Sequence, residues 1–289
     1  MARFRRGRRR GHGRPWRRRS IVRGVTIAPS PDAPHVLRND AGGVATLTLN
    51  RGERLNPLSR DMLSALQSEL DAIAGDESVR VVVLAGAGKH FCAGHDLREM
   101  RAHADEAWQQ QLFAQCNRLM MSLVRLPQPV IARVHGVAAA AGCQLVSMCD
   151  LAVASDAARF ALPGIKSGLF CTTPGVGVSR NVSRKHAMEM LLTGDLVDAR
   201  TAERWGLVNR VVPAAELDAA VAALAEKITA HSRAVNALGK QLFYQQIERG
   251  LAEAYDVAGD GMACNMTYED AAEGIDAFLG KRPPAWRGR

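Results

Sequence analysis

Val79-Arg80-Val81-Val82-Val83-Leu84-Ala85-Gly86, followed shortly by Cys92-Ala93-Gly94-His95-Asp96-Leu97-Arg98-Glu99-Met100, is the stretch from which the fold can be read. The first run is apolar, short and β-branched, as a buried strand should be. The second is a glycine-bearing turn entering a helix at Leu97, with Asp96 as its cap and Glu99 in its first turn. A strand that passes through such a turn into a helix presents backbone N–H groups, which can hold an anion or an oxygen that becomes one during a reaction.

Working outward, the pattern repeats. Val44–Leu49 alternates as a strand and Ser59 caps a helix running to about Gly75. A long amphipathic segment from about Asp105 to Leu126 stops at Pro127 and Pro129. Val130–Val134 is a further strand that ends in a small-residue turn, 135–142, with a helix over 143–149. Strands follow at 150–154 and 159–163. Strands separated by helices need crossovers, so the pairing is expected to be mostly parallel and the fold class α/β. Beyond Gly175 the chain reads as mainly helical, interrupted by one edge strand within Leu207–Pro213. The expected organisation is an extension over 1–35, an α/β core over 36–210 and a helical region over 211–289.

The net charge of +9 sits almost entirely at one end. Residues 1–31 hold eleven arginines and no acid; without them the 38 Lys and Arg of the 289-residue chain fall to 27 against 29 acids. The body is therefore not basic, and no nucleic-acid partner is expected. The Arg-rich segment reads as a solvated, disordered extension or the product of an upstream start. Targeting is the alternative, because the segment is acid-poor but neither Ser-rich nor amphipathic. The six cysteines show no paired metal spacing, so they are expected to be reduced thiols with no metal site. No stretch is long and apolar enough for a membrane span. The placement expected is cytoplasmic, or the mitochondrial matrix if the extension is a transit peptide.

Two strand-to-helix turns, at Ala93-Gly94-His95 and Ala140-Ala141-Gly142, carry small residues. Side by side, they could each give one N–H to a carbonyl oxygen; from spacing alone, tight strand–helix packing is the better account of them. The text around them resembles the crotonase, or enoyl-CoA hydratase/isomerase, superfamily across roughly Val44 to Trp286. The signatures are Arg54-Leu55-Asn56-Pro57-Leu58, Phe91–Leu97, Pro129–Ala132 with His135-Gly136, Ala141–Leu145 with Cys149-Asp150, and Leu192-Thr193-Gly194. Gly168–Gly175 and Phe278–Trp286 point to one narrower branch.

The resemblance implies a spiral of ββα repeats with a C-terminal helical trimerisation region, a homotrimer or dimer of trimers, and an acyl-CoA thioester as substrate. Coenzyme A enters as part of that substrate, with no separate cofactor. It also implies an oxyanion hole from the N–H groups of His95 and Ala141. Arg54, Leu55, His95, Asp96, Leu97, Arg98 and Ala141 would line the ligand, with Phe278 and Lys281 from the last helix, of this subunit or a neighbour. The family's hydratases use two glutamates, and the matching positions here are Gln144 and Gly164. An amide is no general base and glycine offers no group, so efficient hydration is not expected. Gln144 is read as a hydrogen-bonding group near the acyl chain and Cys171 as a buried small residue. Thr172 and Thr173 are read as turn hydroxyls bracing a Pro174-Gly175 bend. The alternatives to an enoyl-CoA enzyme are a malonyl-type CoA decarboxylase, an acyl-CoA thioesterase, or a non-catalytic acyl-CoA binder.

Overall fold

A computed structural model describes residues 33–289; the expected extension lies almost wholly outside the described residues. The chain opens with a hairpin of β1 (Val36–Ala41) and β2 (Val44–Leu49), joined at Gly42 and Gly43 with φ of 59° and 80°. Both central residues of this two-residue turn need positive φ, which is where paired glycines fit. Strand β2 buries Ala45, Leu47 and Leu49 on one face while Val44, Thr46 and Thr48 face the other way. Helix α1 (Arg60–Ala74) follows; Ser59 caps it by accepting from the Met62 N–H at 3.2 Å, and Met62, Leu63, Leu66, Leu70 and Ile73 are its buried stripe.

The chain continues with β3 (Val81–Gly86), α2 (Leu97–Ala102), α3 (Glu106–Arg125), β4 (Val130–Val134), β5 (Val137–Ala139) and α4 (Ala141–Met148). Then come β6 (Leu151–Ser155), β7 (Arg159–Ala161), a 3-10 turn over Pro163–Ser167, α5 (Thr172–Val178), α6 (Arg184–Thr193), β8 (Val197–Asp198), α7 (Ala199–Trp205) and β9 (Arg210–Val212). Helices α8 (Leu217–Thr229), α9 (Arg233–Gln246), α10 (Leu251–Asn265) and α11 (Glu269–Leu279) complete it.

The strands form a six-stranded sheet, ordered β1-β2-β3-β4-β6-β9, and a three-stranded one, β5-β7-β8. Every neighbour in the larger sheet is parallel except the β1–β2 hairpin. The order expresses a spiral. Each turn contributes a strand to the large sheet, a shorter one to the small sheet and then a helix, as in β4–β5–α4 and β6–β7–α5. Single bridges pairing Cys92 with Ala138 and Leu58 with His95, both parallel, mark the reduced small-sheet member of the two earlier turns.

Strand β3 is apolar throughout, and β4 and β6 are apolar but for Arg133 and Ser155, because they are covered on both faces. One side meets the main core; on the other, Val81, Val83, Ile131 and Val153 pack against Leu217, Val221, Leu224 and Ala225 of α8. Helix α9 is anchored by a buried ion pair. Lys240 Nζ lies 2.7 Å from Asp150 Oδ2 and donates to the carbonyls of Leu123 and Gln128, while Tyr244 Oη donates to Asp150 Oδ1 at 3.0 Å.

Two local expectations are corrected. The stretch 135–142 is more than a turn: Val137–Ala139 is strand β5, and α4 begins at Ala141 rather than 143. Alanine-rich text has weak strand propensity, and pairing with β7 and Cys92 imposes the strand. Thr172, Thr173, Pro174 and Gly175 belong to helix α5 rather than to a bend. Proline and glycine gave the turn signal, yet a proline in a first helical turn gives up no intrahelical bond.

Candidate active site

The two predicted turns lie against each other. The segment Phe91-Cys92 runs beside β5: Cys92 N donates to the Val137 carbonyl at 3.2 Å and Ala139 N to the Cys92 carbonyl at 2.9 Å. The chains then meet glycine to alanine. A β-carbon on Gly94, whose φ is 98°, would stand 2.9 Å from Ala140 Cβ and 3.2 Å from Ala141 N, and one on Gly142 would collide with the Cys92 carbonyl oxygen. Only residues lacking a side chain permit this approach. Ala140 takes φ 48° and ψ −120°, a conformation that ordinary residues avoid, and its N–H donates to the Ala161 carbonyl at 2.9 Å. The result is a pair of N–H groups, on His95 and Ala141, for which no acceptor exists among the described residues.

The His95 ring packs edge-on against Phe113 with centroids 5.5 Å apart, and its Nε2 is buried without a partner. Burial pushes its pKa down to about 4, so the imidazole is neutral at pH 7. Gln144, in the first turn of α4 and 3% exposed, has its Oε1 buried and unpartnered as well. An unsatisfied buried polar atom is costly in a folded chain and calls for an explanation such as a bound partner.

Around the first turn, Asp96 uses its two oxygens differently. Oδ1 caps α2 through the N–H groups of Arg98 and Glu99, while Oδ2 accepts from Arg54 at 3.0 Å. Leu58 N donates to the Gly94 carbonyl and Ala93 N to the Leu55 carbonyl, so the 54–58 segment is laced to the 93–96 turn. Arg54, Leu55, Asp96, Leu97 and Arg98 are thereby gathered on one rim, with Leu55 and Leu97 among the exposed apolar residues. Phe278 and Lys281 are not there. Phe278 is in the last turn of α11, which packs on α9, Lys281 follows that helix, and Phe278 is 82% exposed.

Gly164, the second position singled out by the resemblance, donates its N–H to Cys171 Sγ at 3.3 Å. A β-carbon there would stand 2.8 Å from that sulfur and 2.9 Å from the Leu169 carbonyl oxygen. Asn56 is a residue whose part the sequence did not reveal. It is fully buried with φ 51°; Nδ2 donates to the carbonyls of Ala87, His90 and Phe91, and Oδ1 accepts from Arg51 N. It fastens the Arg54 segment to the loop that delivers Cys92. A buried asparagine at positive φ betrays itself in sequence only by the Asn-Pro pair that follows a loop.

A parallel spiral carrying two adjoining N–H-bearing turns defines the class. The profile of the family described as "Enoyl-CoA hydratase/isomerase" matches residues 39–289, and the chain belongs to that family. It is 43% identical over 244 residues to rat "Enoyl-CoA hydratase domain-containing protein 3, mitochondrial", covering 84% of this chain and 81% of the relative. The crystal structure of the human protein of that name is 42% identical with a TM-score of 0.85, covering 87% of this chain and all of that one (100%). An enoyl-CoA hydratase structure from Mycobacterium smegmatis is 56% identical with a TM-score of 0.87, covering 88% and 99%. The narrower branch indicated by Gly168–Gly175 and Phe278–Trp286 is the one that the rat and human proteins represent. Among the described residues, no helix is long and apolar enough to cross a membrane.

Proposed function

We propose that the protein is an enzyme acting on an acyl-CoA thioester, with the N–H groups of His95 and Ala141 stabilising the charge that develops on the thioester oxygen. The observation that carries this reading is the glycine-locked pairing of two acceptor-free backbone donors. Such a donor is worth about 3 to 4 kcal/mol in a transition state. His95 contributes through its backbone, so its side chain need not titrate. Arg54 and the exposed rim of Leu55, Leu97 and Arg98 would receive the nucleotide end, a cation being suited to phosphate. Coenzyme A enters as part of the substrate.

Hydration needs a group that positions and deprotonates water. Gln144 and Gly164 supply no carboxylate, which costs about a hundred- to ten-thousand-fold per acid–base role. A second reading is favoured by that same neutrality: decarboxylation of a malonyl-type thioester, where departing CO2 leaves the enolate without any base. The chain is incubated with a mixed panel of crotonyl-, malonyl-type and saturated acyl-CoA esters, and every species is followed by mass. Turnover of crotonyl-CoA supports the hydratase name, CO2 release the decarboxylase and free CoA the thioesterase. Tight binding without product leaves a non-catalytic binder, and absence of both binding and turnover refutes the acyl-CoA reading.

Helices α9 and α10 expose Phe243, Ile247, Leu251, Tyr255, Met262 and Met266. An apolar surface of this kind suits the homotrimer or dimer of trimers, in which Phe278 and Lys281 would reach a neighbour's ligand. The 43%-identical relatives are named as mitochondrial. That speaks for the mitochondrial alternative over the cytoplasmic placement expected from sequence.

A further inference from the structure

We infer that the Cys171 thiol is the group that exchanges a proton with the substrate's α-carbon, standing in the space that a side chain at residue 164 would occupy. The inference rests on the acyl-CoA reading above and adds a reacting group to it.

Position comes first. Strand β7 ends at Ala161, whose carbonyl accepts the Ala140 N–H, so the turn that starts at Pro163 leaves from beside the Ala141 donor. One residue on, Gly164 aims its missing β-carbon at Cys171 Sγ, 2.8 Å away. Helix α5 runs alongside α4: Gly177 abuts Ser147 and Met148, and Asn181 Nδ2 donates to the Ser147 carbonyl at 2.9 Å. At the other end of this pair Cys171 is the N-cap of α5, and Cys143 and Gln144 are in the first turn of α4. Gln144, 3% exposed with its Oε1 unpartnered, lies in the first turn of the helix that Ala141 begins, alongside the helix that Cys171 caps.

The chemistry follows from what surrounds the sulfur. Its hydrogen bond among the described residues is the one it accepts from Gly164 N, and none joins it to an imidazole, amine or carboxylate there. Burial pushes the thiol pKa up, so it is protonated at neutral pH. A protonated thiol is a poor nucleophile, which argues against an acyl-enzyme. It is a competent acid toward an enolate carbon, because the thioester C–H that forms is a far weaker acid than S–H. In the forward sense the bond from Cα to its leaving carboxylate breaks, and its electron pair moves into the enolate whose oxygen is held by His95 N–H and Ala141 N–H. CO2 departs. The carbon then takes the proton from sulfur; the thiolate accepts the Gly164 N–H and is reprotonated by solvent. With a saturated acyl-CoA the minor thiolate form, its proton lost to solvent, removes an α-proton, and the thiol so formed exchanges with solvent before returning one.

Butyryl-CoA in D2O reads this directly. The wild-type chain should wash deuterium into one of the two α-positions, and Cys171→Ser and Cys171→Ala should lower that rate about a hundred-fold with butyryl-CoA affinity retained. Exchange that is unchanged in either variant, or absent from wild type that binds butyryl-CoA, overturns the role of the thiol and leaves the acyl-CoA reading standing. A wild-type chain that binds no acyl-CoA overturns both. Should the variants fail to fold, methylthiolation of wild-type Cys171, followed by mass, decides. Protection by saturating butyryl-CoA, with the exposed Cys264 unprotected, supports the assignment. A Cys171 that is not protected, or that never reacts, overturns it.

Discussion

Gly94 touches the backbone of Ala141: a β-carbon on the glycine would stand 3.2 Å from the alanine nitrogen and 2.9 Å from the neighbouring Ala140 Cβ. The spacing of the two proposed donors therefore depends on an absent side chain. Gly94→Ala should cost about 1 to 3 kcal/mol in urea unfolding, since φ is 98° there as well, and should weaken acyl-CoA binding in titration calorimetry. Normal stability with normal binding would show that the two turns can separate without consequence.

Ala140 holds φ 48° and ψ −120° with a side chain in place. Relieving that strain outweighs the extra chain entropy of glycine, so Ala140→Gly should stabilise the protein by about 1 kcal/mol. Thermal or urea unfolding checks this. A loss of stability would mean that the Ala140 methyl contributes more by packing on Gly94 than its backbone costs.

His95 separates a backbone role from a side-chain role. His95→Asn keeps the N–H, so turnover or binding of the preferred acyl-CoA should change less than about three-fold, whereas a side-chain acid or base would lose a hundred-fold or more. The same residue predicts a pH effect. Its folded pKa is about 4 against 6.5 in the unfolded chain, so below pH 6.5 the unfolded state takes up a proton that the native state refuses. Stability should fall as pH drops from about 6.5 to 4, by up to roughly 3 kcal/mol. His95→Asn should flatten that part of a urea-stability profile.

Lys240 is buried against Asp150, with Tyr244 on the second carboxylate oxygen. Lys240→Met leaves the carboxylate short of its countercharge and should cost about 3 to 5 kcal/mol. Adding Asp150→Asn should recover part of that loss, a coupling read from the double-mutant cycle. Strict additivity would show that the two residues act independently.

Much of this fold is legible in the text. Ser59 and Asp96 announce two helix starts by local chemistry alone and stand as caps where that chemistry puts them, and the β-branched run from Val79 announces the strand that the structure begins at Val81. Strand β5 and helix α5 are not legible, because alanines and a Pro-Gly pair take their conformation from neighbours distant in sequence. The adjacency of the two turns could be suspected from their small residues, but only packing brings Gly94 onto Ala141. The nearness of Cys171 to Gly164 is likewise a product of the 3-10 turn and α5, with no trace in residue spacing. Gln144 and Gly164 stand out in the text only through the family resemblance, which matches them to glutamate positions.

The cation at the rim arrives already engaged. Arg54 spends its charge on an oxygen that Asp96 does not need for capping α2. On the acyl-CoA reading, a nucleotide phosphate arriving at Arg54 would share the guanidinium with Asp96, whose Oδ2 engages only Nη2. Occupancy at the coenzyme end would then be reported a few residues away, at the base of the turn that presents the His95 N–H.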